Sequence, residues 1–152
     1  MRLTIAAVGR LKAGPEKTLY DSYAQRIAWP LALREVEERR KLPGPERQAR
    51  EAGLLLAACP AAATLVALDR SGRQLDSDAF ARWIGARRDA GTGEIAFLVG
   101  GADGHPDALL QRCALVLSFG AMTFPHLLAR ILLVEQLYRA QQILAGHPYH
   151  RA

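Results

Sequence analysis

Cysteine is scarce in this sequence: Cys59 and Cys113 are the only two among 152 residues. Two thiols set among apolar neighbours read as buried packing groups and not as a disulfide framework. Their scarcity suits a reducing compartment, and the expected location is cytoplasmic. Long apolar runs are missing too. The longest, Leu127 to Val134, contains Arg130 and stops at Glu135, well short of a bilayer span. The opening MRLTIAAVGR lacks the long apolar stretch and the processing site of a secretory leader, and reads as a first strand. Familiar catalytic signatures are absent: no GxSxG elbow, no CxxC pair, no phosphate-loop lysine, no Rossmann glycine fingerprint after the first strand. His147 and His150 have a spacing that a metal can use, but no third ligand accompanies them, so no metal site is expected.

What the chain does have is enough apolar material, at 50% of residues, to form a core. Its length predicts a single domain over 1–152. The balance is basic, with a formal charge of +5, and arginine far outnumbers lysine. Planar guanidinium groups favour phosphate partners.

Periodicity gives the elements. Leu3 to Val8, Leu31 to Glu37, Ala63 to Leu68, Ile95 to Val99 and Ala114 to Leu117 read as strands. Helices are predicted over Glu16 to Ile27, Pro45 to Ala58, Ser77 to Arg88, Pro106 to Cys113 and Pro125 to Leu144. Asp76 or Ser77 caps the third, and Gly146 stops the last. DRSG after Leu68 reads as a turn. The polar stretch over 34–50 reads either as a solvated loop or as a segment touching a polyanion. Strands alternating with helices imply an α/β fold: a mostly parallel sheet covered by helices on both faces. Ligands in such sheets bind beyond the carboxyl ends of the strands. Three strands here end in loops suited to a pocket: LDRSG at 68–72, GGADG at 100–104 and SFGAMTFP at 118–125. On the last helix, Glu135 stands four residues before Arg139, the favourable order for an ion pair.

The segments FLVGGADG (97–104) and LSFGAMTFPHLLARILLVEQLYRAQQILAGHPYH (117–150), with VGR at 8–10 and LVALDRSG at 65–72, resemble the SPOUT methyltransferases. Within that family they resemble the small bacterial members that methylate N3 of a pseudouridine in large-subunit ribosomal RNA. The resemblance covers essentially the whole chain. It implies a C-terminal trefoil knot, which is an exception to the usual absence of threaded connections. It also implies S-adenosylmethionine as cofactor, a homodimer with the site near the subunit boundary, and ribosomal RNA in the large subunit or assembled ribosome as partner, with no membrane. The cofactor contacts it implies are Leu68, Gly101, Gly120, Ala121, Met122, Thr123, Phe124 and Pro125. On the substrate side it implies Glu135, Arg139, His147, Tyr149, His150 and Arg151. His150 can serve as the base, from its near-neutral intrinsic pKa, or can position the substrate, the Tyr149 ring can stack on a nucleobase, and Arg139 can bind phosphate or orient the base. The chain departs from the family at Arg10, where relatives often carry lysine, and at Ala152, where many carry a polar or acidic residue. Two other readings keep the fold: an RNA-binding protein without methyl transfer, and a ribose 2′-O-methyltransferase.

Overall fold

The computed structural model describes the backbone of residues 1–151 and the side chains of residues 1–149. Five strands, β1 (Arg2–Val8), β2 (Leu31–Val36), β3 (Thr64–Gln74), β4 (Glu94–Val99) and β5 (Leu115–Ser118), form one sheet in the order β2-β1-β4-β3-β5. Every neighbouring pair is parallel. Alternation along the strands divides their side chains between two layers. Leu3, Ile5 and Ala7 of β1, Val66 of β3, and Ile95, Phe97 and Val99 of β4 join the larger core. Ala6, Val8, Ala67 and Leu98 face the smaller one.

The helices are α1 (Pro15–Ala24), α2 (Gly44–Ala58), α3 (Ser77–Asp89), α4 (Asp107–Leu110) and α5 (His126–Leu144). On the larger-core face α5 packs between α1 and α3. It is buried through Ile131, Leu133, Val134, Leu137 and Ala140, the four larger side chains contributing about 1.5–3 kcal/mol each. On the other face α2 covers β1 and β2, with Ala52 and Leu55 against Val8 and Leu98. Asp76 caps α3 as expected, accepting from the Ala79 N–H at 2.6 Å.

Three expectations need correction. The helix expected to reach Ile27 ends at Ala24, because Arg26 and Ile27 bond back three residues to Tyr23 and Ala24 and the Ala28 N–H is drawn to Gln141 on α5. The helix expected over 106–113 is only Asp107–Leu110, since Arg112 and Cys113 close tight turns and the Ala114 N–H enters the sheet at Leu65. DRSG is no turn. β3 continues through it after an irregularity between Leu68 and Arg73, and its far part still pairs with β5. Gly72 permits this: a Cβ there would stand 2.6 Å from the Val116 carbonyl.

Because all five strands run the same way, their carboxyl ends share one edge. After β5, the chain passes over that edge instead of remaining beside its strand. The first turns of α5 lie above the end of β1, where the buried Arg130 donates from Nη2 to the carbonyls of Val8 at 2.7 Å and Gly9 at 3.2 Å.

Candidate functional site

A cleft of about 800 Å³ opens at the carboxyl edge, within the size range of small-molecule sites. Three strand ends build it. β3 contributes Leu68, Asp69 and Arg70; β4 contributes Val99 and the loop from Gly100 to His105; the segment after β5 contributes Phe119, Gly120 and Met122 to Pro125. Register explains the convergence, since Leu68 pairs with Val99 on one side and with Leu117 on the other. Seven of the eight residues expected around the cofactor, Leu68, Gly101, Gly120, Met122, Thr123, Phe124 and Pro125, therefore line one cavity. Ala121 does not line it; its side chain is exposed outside.

The walls are mostly backbone and apolar side chain. Ser118 ties its own loop by bonding both the N–H and the carbonyl of Gly120. Among the described residues, the backbone groups of Met122 and Thr123 make no hydrogen bond. They are available to the edge of a heterocycle. His105 is buried, with Nε2 3.3 Å from the Leu98 carbonyl, and burial holds its pKa below the usual histidine range. His126, which rests beside Gly9, is depressed for the same reason and by the Arg130 charge.

Gly101 is crowded from behind, apart from any approaching ligand. A Cβ there would meet the Glu51 carboxylate at 2.9 Å and the Val8 side chain at 3.1 Å. Only Gly104 in this loop has a positive φ, at 70°. Glu51 rises from α2 behind the loop, is 7% exposed, and has an Oε2 without a hydrogen-bond partner. Burial, with Asp103 nearby, raises its pKa. Nothing in the sequence pointed to Glu51, because only the packing of α2 brings it under GGADG. His105 was missed as a lining residue, and Asp69 and Phe119 were not singled out although they lie inside the loops marked as pocket candidates.

The residues expected on the substrate side assemble elsewhere. The predicted ion pair is present, with Arg139 Nε and Nη2 donating to Glu135 Oε1 at 3.1 and 2.9 Å. The Tyr149 hydroxyl donates to the same oxygen at 3.3 Å, and Gln136 donates to Oε2 at 2.7 Å. Tyr149 stands edge-on to Tyr138 with ring centroids 4.8 Å apart, and Arg139 lies over its ring at 5.0 Å. Burial and the Glu135 charge push the Tyr149 hydroxyl up to about 12. The Tyr149 N–H donates to His147 Nδ1 at 3.2 Å. So Arg139 is committed to Glu135 and does not present a free fork to phosphate. None of these residues lines the cleft. Ala129 is the last residue of α5 to do so, and at 1.5 Å per residue Glu135 lies about 9 Å and Arg139 about 15 Å farther along the helix. The side chains of His150 and Arg151, and all of Ala152, lie outside the described residues. Among the described residues, no group of three or more His, Cys, Asp or Glu is placed to hold a metal ion, and no helix is long and apolar enough to cross a membrane.

Comparison with known proteins adds an independent line. The family model described as "Predicted SPOUT methyltransferase" matches residues 1–150. The chain is 55% identical over 152 residues to the "Ribosomal RNA large subunit methyltransferase H" of Rhodospirillum centenum, covering all of both chains. It is 57% identical to the protein of the same name from Paramagnetospirillum magneticum over 99% of each. Among solved structures it resembles a probable methylase family protein from Haemophilus influenzae Rd KW20, with a TM-score of 0.57 and 13% identity, over 97% of this chain and 69% of that one. The last likeness concerns the fold alone.

Proposed function

The chain belongs to the SPOUT methyltransferases, and from that premise we infer that it transfers the methyl group of S-adenosylmethionine to N3 of a pseudouridine in large-subunit ribosomal RNA. The observation that carries this reading is the end-to-end identity, above half, to large-subunit ribosomal RNA methyltransferases.

The cleft suits the cofactor. Unpaired backbone groups at Met122 and Thr123 offer donors and acceptors to an adenine edge, Leu68, Val99 and Phe124 supply apolar walls, and Asp69 and Asp103 are anionic partners for the ammonium group. When bound, S-adenosylmethionine supplies an electrophilic methyl group on a sulfonium centre. The protein's task is to hold the acceptor nitrogen in line with it and to take the N3 proton. We assign stacking on the base to Tyr149, orientation of that ring to Glu135 and Arg139, and proton removal to His150, whose intrinsic pKa suits a base near neutrality.

Within one chain these groups stand apart from the cleft, and a homodimer resolves the separation: the tail of one protomer completes the cleft of the other. A second feature supports association. Leu128 is 39% exposed and Met122 78% exposed, and a separate recess of about 450 Å³ has Phe119, Phe124 and Leu132 in its walls. We place the work in the cytoplasm, on the assembled ribosome, where neighbouring surfaces can help to position so small a domain. Burial pushes the Cys59 thiol up to about 11, and it stays a free thiol with Cys113.

The deciding experiment is mass spectrometry of digested ribosomal RNA from cells with and without the gene. A methylated pseudouridine should vanish in the deletion and return with the wild-type gene. Persistence of that nucleoside, or loss of a ribose methyl instead, defeats the assignment.

A further inference from the structure

The carboxyl edge carries more than the cleft. Loops leave it after β1, at Gly9 to Gly14, and after β2, at 37–43, and the far part of β3 runs along it. Lys12, Lys41, Arg70 and Arg73 on these segments are all exposed, and among the described residues none has an ion-pair partner. Their neighbours are only half neutralised. Arg10 and Arg39 both lean on Glu37, at 3.8 and 3.5 Å. Arg40 and Arg50 both bond Glu38, at 2.9 and 3.1 Å, and hydrogen bonds led by those from Arg40 hold that carboxyl down at about 2. Four guanidinium groups thus share two carboxylates.

The sheet order sets the layout of these charges. β2, β1 and β3 occupy the first, second and fourth places, with the glycine loop of β4 between the last two. At about 4.8 Å per strand, the charged ends form a row about 14 Å long. Arg70 stands where that row meets the cleft, since it also lines the cavity. A row of unneutralised cations leading into a pocket sized for a small heterocyclic group matches a strand of nucleic acid that delivers one base and drapes its backbone alongside.

We propose that Lys12, Lys41 and Arg70, supported by Arg10 and Arg39, form the seat for the phosphates of the RNA strand next to the methylated base. The proposal rests on the reading of the protein as a ribosomal RNA methyltransferase. The rim supplies affinity and position, and the base pocket supplies identity.

The test is a full-length double variant, Lys12→Gln with Lys41→Gln, assayed on ribosomal particles from deletion cells across a series of salt concentrations. The expected result is a KM for particles raised about tenfold near physiological salt, with kcat and S-adenosylmethionine affinity unchanged. The log–log salt slope of particle binding should fall by roughly 0.7–0.9 for each lost phosphate contact. Lys12→Arg with Lys41→Arg should restore both. Arg82→Gln with Arg112→Gln, removing two exposed cations elsewhere, should leave both at the wild-type value. An unchanged salt slope in the lysine double variant, or an equal fall in the arginine double variant, overturns the proposal. If the wild-type enzyme leaves the particles unmethylated, the functional reading fails instead, and the salt slope for binding the same particles still decides whether the rim is an RNA seat.

Discussion

The cleft is walled mostly by backbone, glycine and apolar side chains, with Asp69, Arg70 and Asp103 among them, whereas the group around Tyr149 is built from ionised side chains and rings. The first keeps its histidines poor at holding a proton, since burial lowers the pKa of both His105 and His126, and Glu51 stays behind the wall. The second is a tight polar array in which one carboxylate oxygen accepts from both Arg139 nitrogens and from Tyr149. A site for a methyl donor needs shape and a lack of competing nucleophiles. A site that steers a base and removes its proton needs fixed charge and aromatic surface. The two regions divide these demands, and a single chain keeps them about 9 Å or more apart along α5.

The largest effect should come from filling the glycine wall of the cleft where a side chain is most crowded. Gly101→Val should abolish S-adenosylmethionine binding, with a loss of at least about a hundredfold in affinity by calorimetry, because its Cβ already crowds the Glu51 carboxylate and Val8 and its two methyl groups must then project toward the cleft or the wall. Far-ultraviolet circular dichroism checks that the variant folds. Gly101→Ala paired with Glu51→Ala tests the cause, since removing the carboxylate should return much of the binding lost by Gly101→Ala alone. Binding that survives Gly101→Val would show that the two regions are not divided as described.

A smaller effect sharpens the division between protomers. Tyr149→Ala should retain cofactor affinity and lose transfer, while Gly101→Val should keep an intact tail. Equal amounts of the two, unfolded and reassembled together, should regain about a quarter of wild-type activity, because half of the dimers are mixed and each has one undamaged composite site. No regain on mixing, with mixed dimers verified by native mass spectrometry, would place both groups of residues in a single protomer.

The smallest effect concerns stability and pH. Burial raises the pKa of Glu51, so the folded state holds its proton more firmly than the unfolded chain does. Its contribution is most favourable below the unfolded value and is lost as pH rises through the folded one. Glu51→Gln removes the charge and nearly keeps the shape. The variant should melt a few degrees above wild type at pH 8, with the gap closing toward pH 4. A gap independent of pH would mean that the carboxylate is not what the wall tolerates at a cost.

Much of this arrangement was legible in the residues. Continuous apolar runs, with an imperfect alternation at 31–37, locate all five strands, and glycine and polar residues after them mark the loops 68–72, 100–104 and 118–125 as pocket material. DRSG misled because glycine beside charged residues reads as a turn, while the real reason for Gly72 is the Val116 backbone pressed against it. Arg130 looked like a polar break in an apolar run, yet it is fully buried, because its partners are carbonyls at the other end of the chain. Glu51 was invisible because only the packing of α2 brings it beneath the glycine loop. Local pattern records which face of a helix is apolar and says little about which distant backbone needs a buried charge. The separation of the Tyr149 group from the cleft was equally hidden, since the motif joins both in one unbroken stretch of sequence.

The Arg130 contact has a kinetic consequence. Its bond to the Val8 carbonyl joins residues 122 apart in the chain, so the last long helix cannot be fastened until the first strand is in place to receive it. Contacts of that span demand closure of nearly the whole chain before they return any stabilisation, and they slow the search for the native state. The final locking of α5 should therefore be a late event in refolding, and Arg130→Met should chiefly hasten unfolding while leaving the early collapse of the sheet at its normal rate.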